Sequence, residues 1–294
     1  FYVSIDSHNT DELIRGSKAG ADYLLSIKDE SYHILENLDS YPILIPTDNN
    51  MKNFYKLIDR AIADKLTFIA DPILDPISYG FTKSIERYIY LREKYPDIHI
   101  MIGIGNITEL THADTSGINM IMLGIVEELK LNHILTTQVS RHCSTVIRET
   151  DLARIIIHAA SENNITPKHI NDGLLINHGH KDYAYTSDEL IDMKSNIKDK
   201  NYRIYVNDDG IHLFNKTIYK VFSDPYNFYE FLEVEEDSGH SFYLGVELAR
   251  AQIAYQLRKE YSQDEELDWG CLIDKKDDNK LQSKELGPTF KKRK

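Results

Sequence analysis

Apolar residues in the first 160 positions come in short unbroken runs separated by amphipathic stretches. Runs at 2–5, 21–27, 41–46, 66–70, 98–104 and 134–139 show little polar alternation. That pattern belongs to parallel strands buried on both faces. Between them the spacing predicts helices over 11–18, 53–63, 84–95, 116–131 and 151–160. In 53–63 the residues Phe54, Leu57, Ile58 and Ile62 fall on one stripe, as a helix laid on a sheet requires. Gly20 ends the first helix and Pro96 closes the third. Repeated strand–helix units build either an open doubly wound sheet or a closed eight-stranded barrel, and periodicity leaves both open. The expected fold class is α/β: a (β/α)8 TIM-type barrel lacking its first two strands, plus a small C-terminal α+β domain.

The pattern changes after residue 165. Strands are expected at 201–206 and 211–214, around the hairpin signal Asn207-Asp208-Asp209-Gly210. Helices follow at 224–232 and 242–261. The expected division is a barrel over 1–165, a linker over 166–200, a small α+β domain over 201–272 and a flexible polar tail over 273–294. Because the chain opens directly on a strand, Phe1-Tyr2-Val3-Ser4-Ile5, the expectation is that it is cut from a longer protein whose preceding part packs against that strand.

Composition narrows the function classes. The 294 residues suffice for one barrel or two ordinary domains. Acidic side chains number 47 against 34 basic ones, a net charge of -13 that repels a phosphate backbone and counts against nucleic acid as the partner. The basic run Lys291–Lys294 stands alone at the tail. No apolar stretch reaches the roughly 20 residues that span a bilayer. Two cysteines, Cys143 and Cys271, build no disulfide framework, and a reducing cytoplasm is the expected location.

Ligands of parallel sheets and barrels sit at the carboxyl ends of the strands. The residues there are Asp6, Ser7, Ser26, Thr47, Asp48, Asp71, Asp75, Asn106, Thr137 and Gln138. Asp71 ends a buried strand, where a carboxylate is costly unless paired, although a turn or helix-cap aspartate is the plainer alternative. Asn106 follows Gly103-Ile104-Gly105, where backbone can approach a ligand closely. No metal is expected. Glu109-x-x-His112 with Asp114 lacks a matching second pair, and His178-x-His180 lies in a polar stretch. Cys143, beside His142, reads as a structural thiol rather than a nucleophile.

Several motifs at these strand ends resemble a known family. Ser4-Ile5-Asp6-Ser7 and Ala19-Gly20-Ala21-Asp22 resemble the third strand and following helix of the pterin-binding barrel superfamily, which includes dihydropteroate synthase and the methyltetrahydrofolate-dependent methyltransferases. Ile69-Ala70-Asp71-Pro72-Ile73-Leu74-Asp75-Pro76 resembles its sixth strand, and Gly103-Ile104-Gly105-Asn106 is similar to its seventh. The stretch 101–111 with 135–140, and the segments Gly245–Ala251 and Leu267–Gly270, resemble the dihydropteroate synthase-related proteins of methane-producing archaea, which carry a C-terminal domain of unknown function.

The resemblance implies binding of a reduced pterin, of the tetrahydromethanopterin or tetrahydrofolate type, and transferase chemistry in pterin or one-carbon metabolism. Asp71 and Asn106 would be its catalytic residues, with Asp6, Ser26, Asp75 and Gln138 completing the substrate-binding set. A synthase joining a pterin to an arylamine is the first rival, and a non-catalytic pterin carrier or assembly subunit the second. Asn106-Ile107 replaces the Arg-Lys pair of true synthases, and Thr136-Thr137-Gln138 replaces their Arg-x-His, which favours the methyltransferase side. The implied partners are the pterin, a corrinoid or other protein docked through the C-terminal domain, and a second copy in a homodimer.

Overall fold

The computed structural model describes residues 1–48, 51–234 and 236–274. From residue 275 on, the expected tail and its basic run lie outside the described residues. The chain divides into two compact units, Phe1–Leu174 and a second beginning at Leu175.

The first unit is a parallel sheet with its strands in chain order. β1 (Ser4–Asp6), β2 (Tyr23–Ile27), β3 (Tyr41–Leu44), β4 (Ile69–Ala70), β5 (His99–Gly103) and β6 (His133–Leu135) each pair in parallel with the next. The helices are α1 (Thr10–Lys18), α2 (Met51–Ala63), α3 (Phe81–Lys94), the short α4 (Gly105–Thr108), α5 (Thr115–Glu128) and α6 (Val146–Glu162). A 3-10 helix, Asp29–Asn37, connects β2 to β3.

The two faces of this sheet carry different residues. Leu24, Ile27, Leu44, Ala70, Ile100, Ile102 and Ile104 join the core formed with Leu13, Phe54, Leu57, Ile58, Tyr88, Leu91 and Met122 of the helices. The opposite, concave face carries a smaller cluster, Ile43, Ile45, Ile69 and Met101 with Tyr23, Leu25 and Ile73. A strand alternates its side chains between faces. Leu24 and Ile27 nevertheless share one face, because β2 shifts register between them and Ser26 takes a left-handed φ of 67°. The bulge turns Ser26 toward β1.

Local chemistry fixes the helix positions. Asn9 caps α1 by accepting from the Asp11 and Glu12 amides. Gly16 lets α1 lie close on β1: a Cβ there would stand 2.6 Å from Ile5 Cδ1. At the amino end of the strands Arg92 donates to the carbonyls of Tyr95, Pro96, Ile98, Leu129 and Lys130 and to Asn132 Oδ1, tying α3 to the α5–β6 turn. Glu149, buried between α5 and α6, accepts from Thr115, Asn119 and Thr145. No helix among the described residues is long and apolar enough to cross a membrane.

The second unit is built on an antiparallel sheet, β7 (Arg203–Asn207), β8 (Gly210–Phe214) and β9 (Tyr219–Phe222), in that order. It also holds α7 (Ser187–Ser195), a 3-10 helix Pro225–Phe231, and α8 (Ser238–Leu257). Ile204, Val206, Ile211 and Leu213 pack with Phe228, Leu244, Leu248 and Ala251. Every residue of β8 is buried, so the strand is covered on both faces. Its one ring with polar atoms is matched on both sides: His212 Nε2 meets Asn207 Oδ1 at 2.7 Å and Nδ1 meets the Tyr219 hydroxyl at 2.8 Å. Within the stretch read from sequence as a linker, Thr186 and Glu189 form a capping box that starts α7, and Ile176 and Leu190 are buried. Residues 224–232, read as an α-helix, form the shorter 3-10 turn behind Pro225.

Candidate active site at the strand ends

The carboxyl ends of β1 to β6 gather the polar residues singled out in the sequence. At one side, Ser26 Oγ donates to Asp6 Oδ1 over 2.6 Å, a pairing made by the β2 bulge. In the middle, Asp71 ends β4 and is 8% exposed. Its Oδ1 accepts from the Ile73 amide at 2.8 Å and from the Tyr88 hydroxyl at 3.0 Å. The first of these bonds closes an Asx turn over Pro72, and Ile73 sits at φ 62°, a position β-branched residues rarely occupy. Burial pushes the Asp71 carboxyl up to about 6, against the opposing pull of its two donors and of Arg87.

The loop after Asp71 is strapped from two sides. Arg87, on α3, donates to the Pro72 and Ile73 carbonyls and forms a 2.8 Å ion pair with Asp75. Asn106 Nδ2 donates to the Leu74 carbonyl at 2.8 Å. Asn106 and Asp71 are therefore brought to one loop, whereas Asp75 turns toward α3. Gln138 stands on the far side, where its Nε2 donates to the Ser144 carbonyl.

Three organising residues were not assigned this role from the sequence. Tyr88 and Arg87 are neighbours on α3, and nothing in helical spacing marks them as reaching a strand end. Glu109, noted only as a metal candidate, holds the loop after β6 by accepting from the Val139 and Ser140 amides and from Thr137 Oγ1. The Ser140 side chain first, then the Val139 and Ser140 amides and Thr137, hold its carboxyl down to about 2. His112 packs edge-on against His142, whose Nε2 meets the Thr108 carbonyl. Among the described residues no three His, Cys, Asp or Glu side chains gather as a metal ion would need. Cys143 is buried, its thiol pushed up by burial and by the nearby Glu109. Thr136 Oγ1, at the end of β6, is buried without a hydrogen-bond partner among the described residues.

No family model matches the chain. The Uncharacterized protein MJ0107 of Methanocaldococcus jannaschii is 30% identical over 310 residues, covering 90% of this chain. The chain spans 58% of that relative's length. Among solved structures, a Chromobacterium violaceum protein assigned to spore coat polysaccharide biosynthesis matches with a TM-score of 0.42 and 11% identity, over 66% of this chain and 55% of that one. That likeness is too slight to carry an activity across.

These findings correct the expectation of a pterin-binding superfamily member. It rested on membership that no family model supports, and neither the relative nor the solved structure named above is described by pterin chemistry. The implied reduced-pterin ligand, transferase chemistry and one-carbon role fall with it, as do the synthase and pterin-carrier rivals. The geometry supplies the physical reason the motifs misled. Asp71-Pro72 has a local cause in its Asx turn, and the Asn106 amide is spent on the Leu74 carbonyl. Short strand-end motifs of this kind arise wherever a turn needs them.

Proposed function

We propose that the carboxyl end of the parallel sheet binds a polyhydroxylated small molecule and performs acid–base chemistry on it through Asp71. The observation that carries this reading is the buried Asp71 carboxyl, moved from its ordinary 3.8 up to about 6. A group in that range takes and returns a proton near neutral pH, and perturbed carboxyls concentrate at reaction centres. Around it the rim offers a carboxylate at Asp6, hydroxyls at Ser26 and Thr137 and an amide at Gln138. Hydroxyl groups both donate and accept, so they suit a rim of mixed character. The left-handed backbone at Ser26 and Ile73 falls at these same strand ends, where strain accompanies ligand sites.

The same reading completes the architecture as an eight-stranded barrel, with two further strands between β6 and β1. The strand order runs from β1 to β6 without reversal, and doubly wound sheets require a reversal. Both outer strands carry exposed apolar residues, Tyr2 and Val3 beside β1 and Leu135 in β6, as strands awaiting partners do. A structure of the complete protein with β1 and β6 left unpaired would overturn the barrel.

The activity is tested by protein-observed amide NMR of the full chain against a panel of polyols and sugars, followed by turnover assays on the compounds that bind. The expected result is binding that shifts amides at the ends of β1, β4 and β5, with turnover lost in Asp71→Asn and binding retained. Turnover that survives Asp71→Asn, or shifts confined to other parts of the chain, would sink the reading.

A further inference from the structure

On the helical side of the first unit, α2, α3 and the loop that runs from β4 to α3 line a cleft of about 430 Å3, with Asp75 in its wall. Its walls include Tyr55, Tyr79, Tyr90, Lys83, Glu86 and Arg87. The volume falls in the range of small-molecule sites. Three tyrosine rings make an aromatic lining, and two of them are strongly exposed, Tyr79 at 84% and Tyr90 at 60%. Large exposed rings grouped around a concavity are unusual on a surface with no partner.

The charges of the cleft are disposed for a ligand of both signs. Arg87 is consumed by the Pro72 and Ile73 carbonyls and by Asp75. Lys83 and Glu86, in contrast, make no hydrogen bond or ion pair among the described residues. They stand three positions apart on α3, a spacing at which Lys and Glu commonly pair with each other. Here each presents its charge separately at the cleft, an ammonium at one point and a carboxylate at another.

We propose that this cleft binds a zwitterionic small molecule of the amino-acid or dipeptide class with an aromatic or apolar side chain. The ligand carboxylate pairs with Lys83, its ammonium with Glu86, and its side chain lies among Tyr55, Tyr79 and Tyr90. The rings contribute both apolar area and attraction for the ammonium. This site is independent of the acid–base chemistry proposed at the strand ends.

The experiment is a calorimetric titration of the full chain with each of the twenty amino acids and a set of aromatic dipeptides. For the best binder it is repeated with the C-terminal amide, which lacks the carboxylate, and the N-acetyl form, which lacks the ammonium. The expected result is saturable binding weakened at least tenfold by either modification. Lys83→Gln should weaken the parent compound but leave the amide unchanged, and Glu86→Gln should do the same with respect to the N-acetyl form. Both positions are exposed, so the variants fold as the parent does. No saturable binding across the panel, or modified forms that bind as tightly as the parent compound, or indifference to both substitutions, overturns the proposal.

Discussion

His212 and Asp71 are both titratable side chains removed from water, one in each unit, and they resolve that situation in opposite ways. His212 is buried in the central strand of the antiparallel sheet with both ring nitrogens matched, and burial lowers its pKa. The neutral ring is the form its surroundings favour, so it sits there at little electrostatic cost. Asp71 also has partners, but burial raises its carboxyl to about 6, so at neutral pH it is held in its disfavoured charged form. A satisfied network serves the fold, whereas a group held out of its preferred state is a reservoir for chemistry. The comparison supports placing the proposed chemistry in the first unit, and it gives the second unit's polar core a structural role.

The largest effect is expected where the network is closed. His212→Ala removes a ring of zero exposure, takes from the Tyr219 hydroxyl its bond to the ring, and leaves Asn207 Oδ1 with the Asp209 amide alone. The cavity and the weakened polar network together should cost about 3–5 kcal/mol. Equilibrium urea unfolding measures this, and a loss under about 1 kcal/mol would show that the network is not what holds β8 in place.

At Asp71 the sign reverses. A carboxyl raised in the folded state contributes stability that is complete below its unfolded value of 3.8 and is lost as pH rises through about 6. Asp71→Asn keeps the acceptor for the Ile73 amide and abolishes the ionisation. The variant should match the parent near pH 3–4 and exceed it by about 3 kcal/mol above pH 7, since a shift of about two units is worth that much. Thermal unfolding between pH 4 and 8 decides it: parallel stability curves for the two proteins would mean that Asp71 is not held in a disfavoured state.

Ser26 sharpens the same contrast at lower cost. Ser26→Gly gives up the hydroxyl bond to Asp6, worth about 1 kcal/mol. It also relieves a left-handed backbone whose strain is of similar size. Stability should stay within about 1 kcal/mol of the parent, while affinity for a hydroxylated ligand falls. A variant that loses stability and keeps affinity would make the Asp6–Ser26 pair a structural bond.

How far the chain reads without coordinates follows from the same physics. The six parallel strands are legible because runs such as Ile43-Leu44-Ile45 and Ile100-Met101-Ile102 must be apolar on both faces. β9 escaped notice because Tyr219-Lys220-Val221-Phe222 is half-buried throughout and carries a lysine. α7 buries only Leu190, so its apolar stripe is too thin to read, although the Thr186–Glu189 capping box was there to be seen. The runs locate the ends of the first five strands, where Asp6 meets Ser26 and where Asp71 and Asn106 hold one loop, whereas the sixth strand stops at Leu135, short of the expected 139. What each side chain holds was not legible. Asn106 meets a carbonyl 32 residues away, and Tyr88 reaches Asp71 across 17. Those bonds depend on how α3 and α4 settle on the sheet, and local sequence does not encode it. The short motifs at Asp71-Pro72 and Asn106 carried a family resemblance because turns at strand ends draw on few residue types.

The smallest effect is expected at Glu109, where the comparison turns from burial to exposure. Its carboxylate lies at the surface and is partly exposed, so screening keeps its weight in overall stability small. Its role is local: it accepts from the Val139 and Ser140 amides and fixes the loop that carries Thr137 and Gln138. The Ser140 side chain first, then those bonds to the charged form, hold the carboxyl down to about 2. The sign is therefore opposite to that of Asp71. Its contribution is present above the ordinary 4.5 and is lost as pH falls toward 2. Glu109→Gln should leave the unfolding midpoint at pH 7 nearly unchanged and speed hydrogen exchange at the Val139 and Ser140 amides. Exchange at Ile73, bound to Asp71, should not change. Faster exchange spread over all strand ends would mean that Glu109 supports the whole rim, whereas unchanged exchange at Val139 and Ser140 would remove it from the loop's support.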